Sequence, residues 1–483
     1  MRRLKERVQA AVRRVSKVEA LRAIAVLMSG TVVAQLVGVA VYPLLTRLYT
    51  PAEFGEFAVF FSVLSIAAVG AALRYEVAIP IAEEPKQAAS LLKLSVLIAG
   101  LISVLAGAAS GAMIASGLIS TSNWMVWVVL LPLSIITVCS HQALYNFALR
   151  DKRFRSIAGS AVARVGAGSV LQAGLFKLSG LGLVIGQLVG YLVGVLVLVR
   201  QGAVRAPALP AEVMQVARRF RSFPIYGLWG ALFNAGGVHL PSLFFAYYFS
   251  AGSAGLYLLT HRVLQIPAVF IGAAVSDVYF SHAPDAARAG TLGPLTSAYF
   301  RRMIMLGAGP CLIGMLSGPA VFSLVFGPNW RMAGEVSSFL LPWIFIVFVT
   351  SPLMRLFVVF ERNKTSSLVE AFLLLARMAA LWGGYWISGA DFKMTVLLYG
   401  VVSALVWLGI LIVCLRLSSA RLIDLAGSVG LSFLKGAVVA VPVGLAALGG
   451  AADLWILVAA IVGGTVYLAM VARDFRKEPG FGG

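Results

Sequence analysis

Four arginines stand where the chain is otherwise apolar: Arg164 in VARVGAG, Arg262 in LLTHRVLQIP, Arg355 in SPLMRLFVVF and Arg377 in LLLARMAAL. A guanidinium stays charged and presents a planar fork of donors that matches phosphate and carboxylate oxygens. Placing one at the centre of a bilayer costs roughly 2.5–3.5 kcal/mol on insertion scales. Such residues face a protein interior or a water-filled cavity. Four of them on four segments imply a cationic cavity in a membrane and an anionic substrate.

Other polar residues gather near them. Tyr257, His261 and Gln265 follow at four-residue steps on one helical face, Arg262 meets Gln265 at three, and Pro267 breaks the hydrogen-bond ladder beside them. Asn234, Gly236, Gly237, His239 and Pro241 form a second run. Arg262, Arg355, Arg164, Arg377, His261, Gln265 and Asn234 are the expected substrate-binding set. Pro267, Gly236 and Gly237 are the expected gating bends. Asp277, Glu370 and His239 are candidates for coupling to an ion. Each has a plainer reading: Asp277 as an ion-pair partner, Glu370 as an interfacial anchor to Arg362 or Lys364, His239 as a satisfied core histidine. Glu370 and Arg377, seven apart, share a face about 10 Å apart along the axis. Ser156, Ser160, Arg164 and Gly168, with Gln172 beyond, make a small, polar stripe. It reads as a cavity wall or as a tight helix contact with Arg164 on a neighbour's carbonyl.

No catalytic or metal chemistry is expected. Cys139, Cys311 and Cys414 lie in apolar runs without paired spacing. No phosphate-cradling glycine loop, His/Cys metal spacing or Ser-His-Asp set is present. The chain is therefore read as no enzyme and as needing no cofactor; as no ATPase, it must draw energy from an H+ or Na+ gradient or from substrate gradients.

The elements that carry these residues are membrane spans. The chain of 483 residues is 60% hydrophobic and 12% charged, with a mean hydropathy of +0.93; soluble chains carry about 25% charged residues. Apolar runs of about 20 residues predict an all-α polytopic protein of about fourteen spans. These lie near 24–46, 54–73, 88–110, 124–148, 156–176, 180–199, 224–249, 252–281, 302–326, 336–360, 365–388, 394–416, 428–449 and 453–472. The expected organisation is a cytoplasmic basic amphipathic arm (1–22), an N-terminal lobe (23–200), an inter-lobe loop (201–223), a C-terminal lobe (224–416), and two further spans with a cytoplasmic tail (417–483).

Charge placement orients the spans. With the N-terminus in the cytoplasm, 31 of the 39 Lys and Arg fall on the cytoplasmic side, 4 on the outer side, and 4 are the intramembrane arginines. That split fits the positive-inside rule with an even number of spans and both termini cytoplasmic. The formal charge of +20 is thereby explained by membrane loops, and nucleic acid is not an expected partner.

Several stretches resemble the bacterial polysaccharide (O-antigen, capsule and exopolysaccharide) flippase family of the multidrug/oligosaccharidyl-lipid/polysaccharide exporter superfamily. They are LYTPAEFGEFAVFFSVLSI at 48–66, LRYEVAIPIAEEP at 73–85, the run from FPIYGLWG to SDVYF at 223–280, FGPNWRMAGEVSSFLLPW at 326–343 and SPLMRLFVVFERNK at 351–364. The resemblance implies an inner-membrane transporter of two helical lobes around a central cavity. It implies a glycan repeat unit on undecaprenyl pyrophosphate, moved from the cytoplasmic to the periplasmic leaflet by ion-coupled alternating access. Expected partners are this anionic lipid-linked oligosaccharide, membrane lipids, a polysaccharide polymerase and other export proteins.

Three other readings fit these residues less well. A multidrug or cation antiporter of the same superfamily expects an acidic cavity. A membrane-embedded polymerase or ligase expects a long, charged outer loop. A scaffold has no need of four buried charges.

Overall fold

The computed structural model describes residues 30–117, 123–200, 210–268, 272–360, 363–420 and 422–477. The expected arm at 1–22 lies outside them. The described elements are helical: α1 Gly30–Leu48, α2 Pro51–Ala71, α3 Pro85–Ala115, α4 Leu131–Arg150, α5 Phe154–Gly174, α6 Gly180–Arg200, α7 Pro210–Arg219, α8 Leu228–Tyr248, α9 Ala251–Leu264, α10 Ala273–Arg288, α11 Leu292–Phe326, α12 Arg331–Thr350, the short α13 Leu356–Val359, α14 Asn363–Ile387, α15 Phe392–Leu417, α16 Leu422–Leu448 and α17 Asp453–Lys477. Eleven helices among the described residues are long and apolar enough to cross a membrane.

Three expectations are corrected here. The span expected at 252–281 is divided: α9 ends at Leu264 with Gln265 as its C-cap, two residues before Pro267, and α10 begins at Ala273. The run at 234–241 is not interrupted: α8 continues through Gly236, Gly237 and Pro241, its freed backbone group being met from outside the helix. The loop expected at 201–223 contains a helix, α7. Val216 and Phe220 are buried, and the Tyr75 hydroxyl donates to the Ala217 carbonyl at 3.1 Å.

The chain divides into two compact units. The first holds the described residues before Thr50 and Phe60–Ala235. Its α6 carries glycine at 182, 186, 190 and 194, a smooth ridge that lets α5 pack backbone to backbone. A Cβ at Gly190 would sit 2.7 Å from the Arg164 carbonyl oxygen. A second knot forms where Arg74, at φ 64°, turns the chain out of α2 into the short helix Tyr75–Ile81. Ile79, Leu91, Ala143, Ile157 and Val216 pack there in one core.

The second unit holds Thr50–Val59 and Gly236–Gly483. Thr50–Val59 opens α2 with a reciprocal cap. The Thr50 N–H donates to Glu53 Oε2 at 2.7 Å and the Glu53 N–H to Thr50 Oγ1 at 3.4 Å, with Pro51 as the first helical residue. In this unit α11 packs against α12, α16 and α17. Pro319 has no N–H for the Met315 carbonyl four residues back, and Ser338 of α12 donates to that oxygen at 2.6 Å. Val439, Val443, Ile456 and Tyr467 form the core with α11.

Candidate functional site

The second unit assembles a cationic and aromatic cluster from α8, α9, α12, α14 and α15. It begins with a backbone defect. In an α-helix the N–H of residue i bonds the carbonyl of i−4, so Pro241 leaves the Gly237 carbonyl without its partner. Arg377 of α14 donates from Nη1 to that oxygen at 3.0 Å. The guanidinium also lies over the Trp343 ring, 5.2 Å from its centroid. Its Nε is buried with no hydrogen-bond partner, as is the Trp343 Nε1. One guanidinium thus closes a helix defect and keeps a donor for a further acceptor.

Trp343 stacks on His261 with centroids 6.0 Å apart, and His261 stacks on Tyr257 at 5.5 Å. Tyr399 closes the group, edge-on to Trp343 at 5.4 Å, its hydroxyl 3.5 Å from that of Tyr257. The Gln265 amide nitrogen lies 3.1 Å from His261 Nε2. An amide nitrogen only donates, so Nε2 accepts and the ring proton is on Nδ1. His239, Arg262 and Arg377 all act electrostatically on His261. Arg262 lies over the Phe57 ring at 5.7 Å. The region is therefore positively charged, walled by rings, and dry enough for each charge–dipole contact to exceed its value in water.

The remaining expected residues are placed less centrally. Arg355 ends the short helix Ser351–Arg355 and lies over Phe280 at 5.2 Å. Asn234 is exposed on α8, in the part of that helix counted with the first unit, and Glu370 is partly buried on α14. Asp277 falls in α10, and its side chain is outside the described set. Pro267 lies just beyond α9.

Arg164 belongs to the first unit. Its guanidinium lies over Tyr191 of α6 at 4.8 Å, and Tyr191 meets His141 of α4 edge-on at 5.4 Å. Ser160 donates to the Gly194 carbonyl at 3.0 Å and lies 3.0 Å from His141 Nε2, which must therefore carry the proton. Most of the polar stripe on α5 is a helix contact. Ser160 and Gly168 face α6, and the Gln172 amide donates to the Leu183 carbonyl at 3.1 Å. The Arg164 Nε is buried with no hydrogen-bond partner.

Sequence reasoning missed His141, Tyr191, Trp343 and Tyr399. One signal was available: the carbonyl four residues before an intrahelical proline needs a donor. Pro241 therefore announced that some side chain must reach Gly237, without saying which.

A family model described as "Polysaccharide biosynthesis protein" matches residues 44–335. Among solved structures, the chain is similar to lipid II flippase MurJ in an inward closed conformation, at 11% identity and a TM-score of 0.69, covering 93% of this chain and 99% of that one. It is also similar to an inward-facing multidrug resistance MATE family transporter of the MOP superfamily, at 14% identity and a TM-score of 0.58, covering 83% and 98%. At these identities the likeness is one of fold. No protein of curated function matches by sequence.

Proposed function

Because the chain belongs to the family of polysaccharide biosynthesis proteins, a family of multi-pass transporters and not enzymes, we propose that it is a flippase for lipid-linked oligosaccharides. It moves glycan repeat units on undecaprenyl pyrophosphate from the cytoplasmic to the periplasmic leaflet of the bacterial inner membrane, for O-antigen, capsule or exopolysaccharide export. The observation that carries this reading is the arginine and aromatic cluster of the second unit. Arg262 and the Arg377 edge not engaged by Gly237 bind pyrophosphate oxygens. Gln265 and His261 orient the headgroup, Arg355 adds to the positive field of the same unit, and Arg164 is a further cationic residue for the anionic substrate, in the first unit. His239, Asp277 and Glu370 are the candidates for the coupling H+ or Na+, with Pro267, Gly236 and Gly237 as the places where the path bends.

A cation antiporter shares the fold but not this electrostatics, since its substrate would meet Arg262 and Arg377. The test uses proteoliposomes carrying a fluorescent undecaprenyl-pyrophosphate glycan and measures its transfer between leaflets. Losing one hydrogen bond to a charged group costs roughly 1.5–3 kcal/mol, so Arg262→Gln should slow transfer roughly 10- to 100-fold, and Arg355→Gln, which removes a contribution to the field but no contact, should slow it by less. Full transfer by both variants, inserted at normal levels, overturns the reading.

A further inference from the structure

Each of the two units contains the same arrangement of side chains, built from different residues. In the first unit, His141 of α4, Arg164 of α5 and Tyr191 of α6 come together. In the second, Trp343 of α12, Arg377 of α14 and Tyr399 of α15 do so. The order along the chain is the same in both: a ring that carries an N–H, then the arginine, then the tyrosine. The packing is the same too, with α6 against both α4 and α5, and α15 against both α12 and α14.

The geometry repeats as well. Tyr191 meets His141 edge-on, with centroids 5.4 Å apart and planes at 85°. Tyr399 meets Trp343 edge-on at 5.4 Å and 76°. Arg164 lies 4.8 Å from the Tyr191 centroid and Arg377 5.2 Å from that of Trp343. In each unit the guanidinium therefore covers one ring of an edge-to-face pair. A glycine makes room beside each. A Cβ on Gly194 would sit 3.0 Å from His141 Nε2 and 3.3 Å from the Arg164 Cβ, and the Gly237 carbonyl accepts from Arg377.

Both guanidiniums lack the same thing. Each Nε is buried with no hydrogen-bond partner, while each arginine as a whole is only partly buried. The groups acting on Arg164 are Tyr191 and His141. Those acting on Arg377 are the Gly237 carbonyl, Trp343, His261, Tyr257 and Tyr399. None of these is a carboxylate. A guanidinium inside a membrane costs roughly 2.5–3.5 kcal/mol, and a leucine or methionine could fill either helix contact without that cost. A cation kept twice, with a ring behind it and a donor left over, calls for an anion. Nε–H and a terminal N–H form the fork that a phosphate or carboxylate engages with two oxygens. The rings exclude water from one side and so strengthen that contact.

We propose that each unit holds one complete oxyanion site, Arg164 with His141 and Tyr191 in the first and Arg377 with Trp343 and Tyr399 in the second. The chain then binds a phosphate or carboxylate group at each. This deepens the reading of Arg164 and Arg377 as contacts of an anionic substrate. It is tested with no lipid and no transport, so its failure is distinguishable from failure of the flippase reading.

The test counts inorganic phosphate bound to the purified full-length protein by equilibrium dialysis, at constant ionic strength set with chloride. It compares the natural protein with Arg164→Gln, Arg377→Gln and the double variant. The basic loops are identical in all four, so their contribution cancels in the differences. Each single variant should bind one phosphate fewer than the natural protein, and the double variant two fewer. Arg164→Lys and Arg377→Lys keep the charge and lose the fork. Each should weaken one site at least about tenfold, the value of one hydrogen bond to a charged group, and they serve if the glutamine variants fail to fold. A single glutamine variant that binds as much phosphate as the natural protein, a double variant that loses only one, or lysine variants of unchanged affinity overturn the proposal. Glucuronate at equal concentration separates the two sources of anion. Displacement from both sites marks an acidic sugar as the natural ligand, retention at both marks the pyrophosphate link, and displacement from one alone overturns the equivalence of the sites.

Discussion

Pro241 and Arg377 should be energetically coupled through one carbonyl oxygen. Pro241 removes the N–H that would bond Gly237, and Arg377 supplies the replacement at 3.0 Å. Arg377→Leu in the natural background leaves a buried carbonyl unsatisfied, a loss of about 1–3 kcal/mol. In a Pro241→Ala background the alanine N–H can close the ladder, and the same Arg377→Leu change should lose that component. The ring contact with Trp343 is removed in both backgrounds and cancels. The double-mutant cycle should therefore give a coupling of about 1–3 kcal/mol, well above the ~0.5 kcal/mol within which independent sites add. The measurement is the unfolding free energy of the four proteins in mixed micelles. If Arg377→Leu costs the same with and without Pro241, the guanidinium is not standing in for the missing N–H, and the account of α8 is wrong.

Other outcomes follow from the same geometry. Ser338→Ala should destabilise the protein by about 1–3 kcal/mol, and by less in a Pro319→Ala background, because Ser338 serves the Met315 carbonyl freed by Pro319; the same micelle assay reads it. Gly190→Val places a Cβ within 2.7 Å of the Arg164 carbonyl oxygen and should cost at least about 1–3 kcal/mol by overpacking, seen as a lower melting temperature. Glu76 is buried, and burial raises its pKa above the usual carboxylate value against the opposing pull of its own backbone hydrogen bond and of Arg74 at 3.6 Å. A folded state that holds a proton more tightly than the unfolded chain loses stability as pH rises from the ordinary carboxylate value through the raised one. Glu76→Gln should abolish that fall, so the variant's melting temperature should gain on the natural protein's across that window and stay level with it or above at neutral pH. A natural protein that instead gains on the variant as pH rises would refute the assignment.

Much of the fold was legible because a membrane imposes simple arithmetic. Long apolar runs and a strongly sided distribution of Lys and Arg specify a polytopic helical membrane protein before any coordinate is known. The capping pair Thr50 and Glu53 is equally local: four residues of sequence contain both partners. What eluded the sequence depended on partners distant in the chain. The break beside Pro267 is legible in the residues, but hydropathy alone joins 252–281 into one span and does not place the end of α9 at Leu264 or the start of α10 at Ala273. The stripe on α5 does not by itself decide between cavity wall and helix contact, because that choice belongs to the glycines of α6.

The arginines show the division between the two kinds of information. Sequence alone determined that Arg164, Arg262, Arg355 and Arg377 are charges in an apolar setting, since charge and hydropathy are properties of the residues themselves. It determined too that the Gly237 carbonyl needs a donor, since a proline four residues on is enough to say so. That Arg377, 140 residues away, is the donor, and that Trp343, Tyr191, Phe57 and Phe280 lie beneath the four guanidiniums, was decided only by tertiary structure. A ring contact or a cross-helix hydrogen bond depends on helix rotation and register, which the packing of whole helices sets and no local pattern encodes.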